Sequence, residues 1–374
     1  MDVIWFTQGF IKMIKTLSDR CSSEQPLALN PIRSDVWRGD VLESTHEVHA
    51  ALVDADGQLL AYAGDPQLLT TARSSLKPFQ LLPTLLQGGY ERFGLNSADL
   101  AFMCASHNGE PQHVAHCLKL LNKLQVQPRD LECGAHPPYH LESARAIYRA
   151  GLEPTAVHNN CSGKHCGMLA LRELLSSTGS YLSIDHPVQN KIFECIESLL
   201  GKKREWKWGV DGCSLPTPAV TLVELSKLFA ILARGKSEHN QWAGKYLSMI
   251  FEAMSKYPEL IAGSGRFDTA FMRAAAGNAV CKVGGEAIRG FAIRSSSGQV
   301  MGLTLKVTDG AMRALHPACL ALLEYLGLIE RPRNLNSSSK SLSGLDIYWR
   351  GTELNCSGRE ATEIRVNIQE SLSK

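Results

Sequence analysis

The apolar residues of this chain change their period twice along its length, and that change limits the fold more than any single motif. Val36–Leu42, His46–Val53 and Leu59–Ala63 read as strands, with an Asp-Ala-Asp-Gly turn at Asp54–Gly57 between the second and third. A helical series follows in Pro78–Gln87, His113–Val126, Gly167–Leu175, Pro187–Leu200, Ala219–Arg234 and Gln241–Tyr257. Within it, Leu100–Cys104 reads as a buried strand, and Pro187 stands where a first helical turn tolerates it. Strands return at Gly290–Arg294 and Val300–Val307, joined as a hairpin through Ser295–Gly298, and Gly310–Leu326 closes the series as a helix. Strands at both ends enclosing a helical middle predict an α+β fold.

A chain of 374 residues can bury a sizeable core. The pattern places one large domain at residues 34–330, an extension at 1–33 and a polar linker and tail at 331–374. Phe6, Phe10, Ile14 and Leu17 fall at helical spacing, so the extension is expected to be flexible or an amphipathic helix. Arg331–Ser343 is too polar to order itself by burial, and Leu345–Trp349 and Ile364–Ile368 alternate weakly, as edge strands or a mobile tail would.

Lys+Arg at 39 against Asp+Glu at 37 leaves a net charge of only +2, which builds no field for nucleic acid or acidic membranes. No apolar run approaches the roughly 20 residues of a membrane span. Val3-Ile4-Trp5-Phe6 is followed by Lys12 and Lys15 without a small-residue cleavage pattern, so a signal peptide is not expected. The eleven cysteines lack the regular spacing of a disulfide framework. A soluble protein of a reducing cytoplasm is the expectation.

Three segments carry chemistry. Ser74 and Lys77 form a Ser-x-x-Lys pair that shares a face if a helix begins there, and a desolvated lysine can deprotonate a serine. Ala105-Ser106-His107-Asn108-Gly109-Glu110 reads first as a polar turn whose serine or asparagine caps the next helix, with His107 and Glu110 solvated, and an active-site loop is the sharper alternative. Asn159-Asn160-Cys161-Ser162-Gly163-Lys164-His165-Cys166-Gly167-Met168 concentrates thiols, an amine and an imidazole ahead of an apolar helix. With Cys213 these residues offer soft donors to zinc, although no Cys-x-x-Cys pair is present and buried cysteines are usually small hydrophobes. Lys282, before Gly284-Gly285-Glu286, reads as an ordinary lysine ahead of a turn.

Taken together, these blocks resemble the rhizobial-type, thermolabile L-asparaginases, the asparaginase II family. The resemblance runs from about Val36 to Gly327. It passes through Arg38-Gly39-Asp40, Glu43-Ser44, His46, Gly64-Asp65-Pro66, Ser74-Ser75-Leu76-Lys77-Pro78-Phe79-Gln80 and Cys104-Ala105-Ser106-His107. It continues through Asn160-Cys161-Ser162-Gly163-Lys164-His165, Asp211-Gly212-Cys213, Lys282-Val283-Gly284, Asp309-Gly310 and Arg313-Ala314.

The resemblance implies a fold like that of serine β-lactamases and penicillin-binding proteins, in a homodimeric amidohydrolase that converts L-asparagine to L-aspartate and ammonia. It implies two serine–lysine pairs, Ser74 with Lys77 and Ser106 with Lys282, and leaves open which serine attacks. It implies one zinc per chain at Cys161, Lys164 and Cys213, with Arg73, Asp211 and His165 lining the substrate region. The rivals are a related acyl hydrolase acting on glutamine, a β-lactam or a peptide, and a non-catalytic zinc or amino-acid sensor. This chain departs from the family's common pattern at Gly284-Gly285-Glu286-Ala287, which bears on the Lys282 loop, and at Cys166, a second thiol beside the expected metal.

Overall fold

The computed structural model describes residues 25–235, 241–295, 298–331 and 344–371. The expected helix over residues 1–18 and most of the polar linker lie outside them. The chain divides into two compact units, the first built from its two ends with residues 220–233, the second from residues 71–219 and 234–269.

The first unit is a mixed, mainly antiparallel sheet. Its strands are β1 (Leu27–Leu29), β2 (Ile32–Arg38), β3 (Val41–Asp54), β4 (Leu59–Ala63), β8 (Ala279–Gly284), β9 (Ile288–Arg294), β10 (Val300–Val307), β11 (Thr352–Leu354) and β12 (Glu360–Asn367). The order is β11-β12-β2-β3-β10-β9-β8, with β4 also on β3 and β1 parallel to β4. The sheet therefore extends past residues 34–330 on both sides. β12 pairs Ile364 with Val36, so the weak alternation read at 364–368 belongs to a half-buried strand with β2 on one side and β11, not solvent, on the other. Leu345–Trp349 is not a strand, because Asp346–Arg350 forms a short helix ending at Gly351 with φ +57°.

Two glycines let a helix approach this sheet. A Cβ on Gly290 would stand 1.8 Å from the Phe229 ring, and one on Gly302 would stand 1.9 Å from Ser226 O, so the Leu222–Arg234 helix lies close against β9 and β10. Side chains alternate along a strand, so the neighbouring Arg289 points to the opposite face. There it bonds His316 of the Met312–Tyr325 helix at 3.0 Å. The sheet thus carries a helix on each face, in agreement with the α+β expectation.

The second unit is mostly helical. The helices Lys77–Leu86, Ser97–Met103, Pro111–Lys123, Leu141–Arg149, Ser162–Leu174, Pro187–Leu200 and Gln241–Lys256 surround a core that includes Phe79, Phe102, Leu171 and Phe251. Between Pro187–Leu200 and Gln241–Lys256, β6 (Trp208–Val210) pairs antiparallel with β7 (Pro216–Thr221), and β5 (Leu69–Thr71) precedes the first helix.

Leu100–Cys104, expected as a strand, is helical. Asn96 Oδ1 accepts from the Ala98 and Asp99 amides while Asp99 accepts from the Asn96 amide, a reciprocal cap that starts the helix four residues before the apolar run. A buried helix and a buried strand share the same short apolar signature, and the cap decides between them. Gly163 completes the packing, since a Cβ there would fall 1.9 Å from Phe102 O.

Candidate active site

Ser74 and Lys77 stand at a change of helix type. Arg73–Leu76 is a 3₁₀ turn, Lys77 N–H donates to Ser74 O, and the α-helix begins at Lys77 with Pro78 in its first turn. Arg73 has φ +50°, a region that disfavours side chains with a Cβ. Its conformation is held from two sides, by Arg73 N–H on Thr217 Oγ1 at 3.1 Å and by Arg73 Nε on Asp211 Oδ1 at 2.7 Å. Ser74 is half-buried, and its hydroxyl makes no hydrogen bond among the described residues.

Lys77 is fully buried and points at the loop after the Ser97–Met103 helix. Its Nζ lies 2.9 Å from Ser106 Oγ and 3.2 Å from Cys161 Sγ, and it also donates to Ala105 O. Burial lowers its pKa, against the pull of the Cys161 thiolate. A neutral amine has two N–H groups and one lone pair. In the neutral form, Ala105 O and the Cys161 sulfur would take the two N–H groups and leave the lone pair for the Ser106 hydroxyl.

The second segment folds the thiols together. Cys161 and Cys213 hydrogen-bond to each other, and Lys164 Nζ donates to Cys213 Sγ at 3.0 Å. The Cys213 hydrogen bond, with Lys77 and Lys164 nearby, brings Cys161 well below the ordinary thiol range, while the same bond and burial push Cys213 up. Burial alone would lower Lys164, but Cys213, Cys161 and Asp211 outweigh it and raise its pKa. Asp211 stays ionised against burial through Lys164 and Arg73, and its carboxylate also accepts from the Gly212 amide at 2.7 Å.

Two thiols and an amine converging in this way fit a zinc ion, which favours sulfur and nitrogen donors. Among the described residues no cluster of three or more His, Cys, Asp or Glu side chains forms a metal site, and the nitrogen donor beside the two thiols is Lys164. Cys166 does not compete. It is hydrogen-bonded to Cys117, and burial drives its pKa well up, so it is a neutral thiol facing another helix.

His165 is buried and neutral, because burial takes its pKa well down. The Tyr181 hydroxyl accepts from the Glu132 amide at 2.8 Å and so donates to His165 Nδ1 at 2.9 Å. The proton of His165 therefore sits on Nε2, which has no hydrogen-bond partner among the described residues. Lys282 belongs to the first unit, on β8, where it is buried and its Nζ donates to Val283 O at 2.7 Å. It is not the surface lysine that the sequence also allowed.

The loop Ser106–Glu110 is not a solvated turn. His107 is fully buried between Phe102 and His113, with ring centroids at 5.1 and 4.9 Å. Its Nδ1 accepts from the Gly109 amide, so its Nε2 donates to Ser162 Oγ at 2.9 Å. Glu110 is buried and accepts from Asn108, two residues away, and from Ser264, a partner 154 residues away that no local pattern foretells. The second unit thus brings together Arg73, Ser74, Lys77, Ser106, Cys161, Lys164, His165, Asp211 and Cys213.

Comparison with known proteins identifies the family of the chain. Residues 34–359 match the L-asparaginase II family. No curated protein matches the chain. Among solved structures it is similar to a class A β-lactamase representative from Bacteroides cellulosilyticus (12% identity, 86% of this chain and 95% of that one, TM-score 0.39). It is also similar to a Bacillus glutaminase (13%, 76% and 92%, TM-score 0.35) and to PBP-A (12%, 85% and 93%, TM-score 0.34). These likenesses are loose, and the assignment rests on the family match, which spans most of the chain. The chain is an amidohydrolase and belongs to the L-asparaginase II family.

Proposed function

We propose that the protein hydrolyses the side-chain amide of L-asparagine to L-aspartate and ammonia by serine–lysine catalysis. The observation that carries this reading is the buried Lys77 amine 2.9 Å from Ser106 Oγ. Burial favours the neutral amine, which takes the Ser106 proton as the oxygen attacks the amide carbon. The proton passes to the leaving nitrogen, ammonia departs, and water releases aspartate from the acyl-enzyme.

Arg73 spends its Nε on Asp211 and keeps its other guanidinium N–H groups for the substrate α-carboxylate. The unpartnered Nε2–H of His165 is a second donor available to substrate. Cys161, Lys164 and Cys213 would hold zinc, and the bound ion would supply a positive anchor for the α-carboxylate and amine. Lys164 binds metal only after losing its proton, so binding weakens as pH falls. Lys282, matched to the family's second lysine, keeps a relay role as a proposal tested by Lys282→Met.

A second reading has its own observation. Ser74 Oγ is half-exposed and uncommitted, so it could attack while Ser106 carries its proton to Lys77. Ammonia release from asparagine and glutamine by wild type, Ser74→Ala and Ser106→Ala, with intact-mass trapping of the acyl-enzyme, separates the readings. Ester on Ser74 in the Ser106 variant moves the nucleophile to Ser74, and faster release from glutamine makes the enzyme a glutaminase. No ammonia from either amide sinks both readings. A homodimer in a reducing cytoplasm completes the proposal, and free thiols at the ten described cysteines support the compartment. Among the described residues no helix is long and apolar enough to cross a membrane.

A further inference from the structure

Ser106 stands on a loop whose backbone is tied to three separate segments. Its own amide donates to Ile261 O at 2.8 Å, the His107 amide donates to Asn160 O at 3.2 Å, and Asn108 O accepts from the His140 amide at 3.0 Å. The loop ends at Glu110, where a carboxylate is buried without an arginine or lysine bonded directly to it. Glu110 Oε1 accepts from the Ser264 amide at 2.7 Å, the Ser264 hydroxyl at 2.8 Å and Asn108 Nδ2 at 3.1 Å. Oε2 accepts from Gln112 Nε2 at 2.8 Å. Asn108 is in turn consumed, its Nδ2 also on Ser264 O at 2.9 Å and its Oδ1 on Arg266 Nη1 at 2.8 Å.

The opposing segment is shaped for this carboxylate. Gly263 has φ +107°, and a Cβ there would lie 2.6 Å from Glu110 Oε1 and 2.8 Å from Asn108 Nδ2. Gly263 therefore supplies both the conformation and the vacancy that admit the two side chains. The next residue, Ser264, presents two donors to one oxygen, and Ile261, three residues before it, holds the Ser106 amide. The carboxylate and the Ser106 amide thus grip the same stretch of 261–264 from the two ends of one short loop.

We propose that Glu110 is a positioning residue. By clamping the Ser106–Glu110 loop to residues 261–264, it fixes the distance from Ser106 Oγ to Lys77 Nζ. This rests on the serine–lysine reading of the site. A solvated glutamate at the start of the Pro111–Lys123 helix would need no such partners, and a purely structural one would not be matched to a glycine vacancy beside the strand of contacts that ends at Ser106.

The test compares Glu110→Ala, Glu110→Gln and Gly263→Ala on the full chain. It reads kcat and KM for ammonia release from L-asparagine, together with hydrogen exchange of the peptides covering 104–113 and 258–266. Glu110→Ala and Gly263→Ala are expected to lower kcat by about 100-fold, the effect of a roughly 1 Å misplacement of a reacting group, with KM within about threefold. Both should also speed exchange at the Ser106 and Ser264 amides. Glu110→Gln keeps the Oε1 acceptor and should recover kcat to within about fivefold of wild type, since only the Gln112 bond is lost. Unchanged kcat in folded Glu110→Ala, or equal loss in Glu110→Gln and Glu110→Ala with the fold intact, would overturn the proposal. If wild type releases no ammonia, the catalytic reading fails on its own, and the exchange data still decide whether Glu110 clamps the loop.

Discussion

Lys77 Nζ lies 3.2 Å from Cys161 Sγ, so the lysine assigned as base touches a thiolate assigned to the metal. The contact explains how a buried amine can be oriented. Two of its N–H groups are taken by Ala105 O and Cys161, and its lone pair is left to Ser106. Orientation of this kind does not survive a change of head group.

Lys77→Arg is therefore expected to be nearly as inactive as Lys77→Ala. A guanidinium stays protonated and cannot accept the serine proton, and loss of a general base typically costs about 10²–10⁴-fold in rate. Steady-state rates between pH 6 and pH 9 check this. An arginine variant retaining a tenth of the activity or more would assign Lys77 an electrostatic role instead.

For the metal, purified protein loaded with zinc should carry about one ion per chain, and Cys161→Ser or Cys213→Ser should lose most of it, because a soft thiolate is removed in each. Cys166→Ser should keep it, since Cys166 is paired with Cys117. The fold should persist without metal, as a core of this size does not depend on one ion. Elemental analysis of the three variants is the measurement. Full retention in both Cys161 and Cys213 variants would make these thiols ordinary core residues.

The contrast between Cys166 and Cys161 shows what could be read from the sequence. The family resemblance implied that Cys161, Lys164 and Cys213 share one site, and the structure gathers them. Nothing in the sequence told that Cys166 turns to Cys117 on another helix. The strands at 46–63 and 290–307 were legible from their short apolar runs and flanking turn residues, whereas Val36–Leu42, read as one strand, is divided by a turn at Gly39–Asp40. Leu100–Cys104 was not, because its helical identity rests on the Asn96 and Asp99 cap outside the apolar run. The spacing of Ser74 and Lys77 was legible, yet the contact of Lys77 with Ser106 depends on a 3₁₀ turn at Arg73–Leu76 and on a loop 29 residues away. Glu110 was hidden for the same reason, since its partner Ser264 is 154 residues distant.

Glu110 also predicts an acid limb in stability. Its hydrogen bonds from Ser264, Asn108 and Gln112 outweigh burial and bring its pKa from 4.5 to about 2. A folded pKa below the unfolded one means that the unfolded chain binds the extra proton first, so this stabilisation is full above about pH 4.5 and is lost as pH falls toward 2. Urea unfolding at pH 7, 5, 4 and 3 should show wild type more stable than Glu110→Gln, with the gap closing as pH falls through 4. A gap independent of pH would count against the assignment of the carboxylate.

Arg73 offers a test in which stability and binding separate. At φ +50° its backbone is strained, while its guanidinium is held by Asp211 and is proposed to bind the substrate. Arg73→Ala and Arg73→Gly both remove the guanidinium, so each should raise KM for L-asparagine by about tenfold or more, roughly 1.4 kcal/mol of binding, with a smaller effect on kcat. Only glycine adopts that φ without penalty, so Arg73→Gly should be more stable than Arg73→Ala by about 1 kcal/mol despite the greater chain entropy it loses on folding. Urea midpoints together with KM values measure both effects. Equal stability of the two variants would show that the turn relaxes and stores no strain, and an unchanged KM in both would remove Arg73 from the substrate site and leave its ion pair with Asp211 as a purely structural tie between the 3₁₀ turn and the Asp211–Cys213 loop.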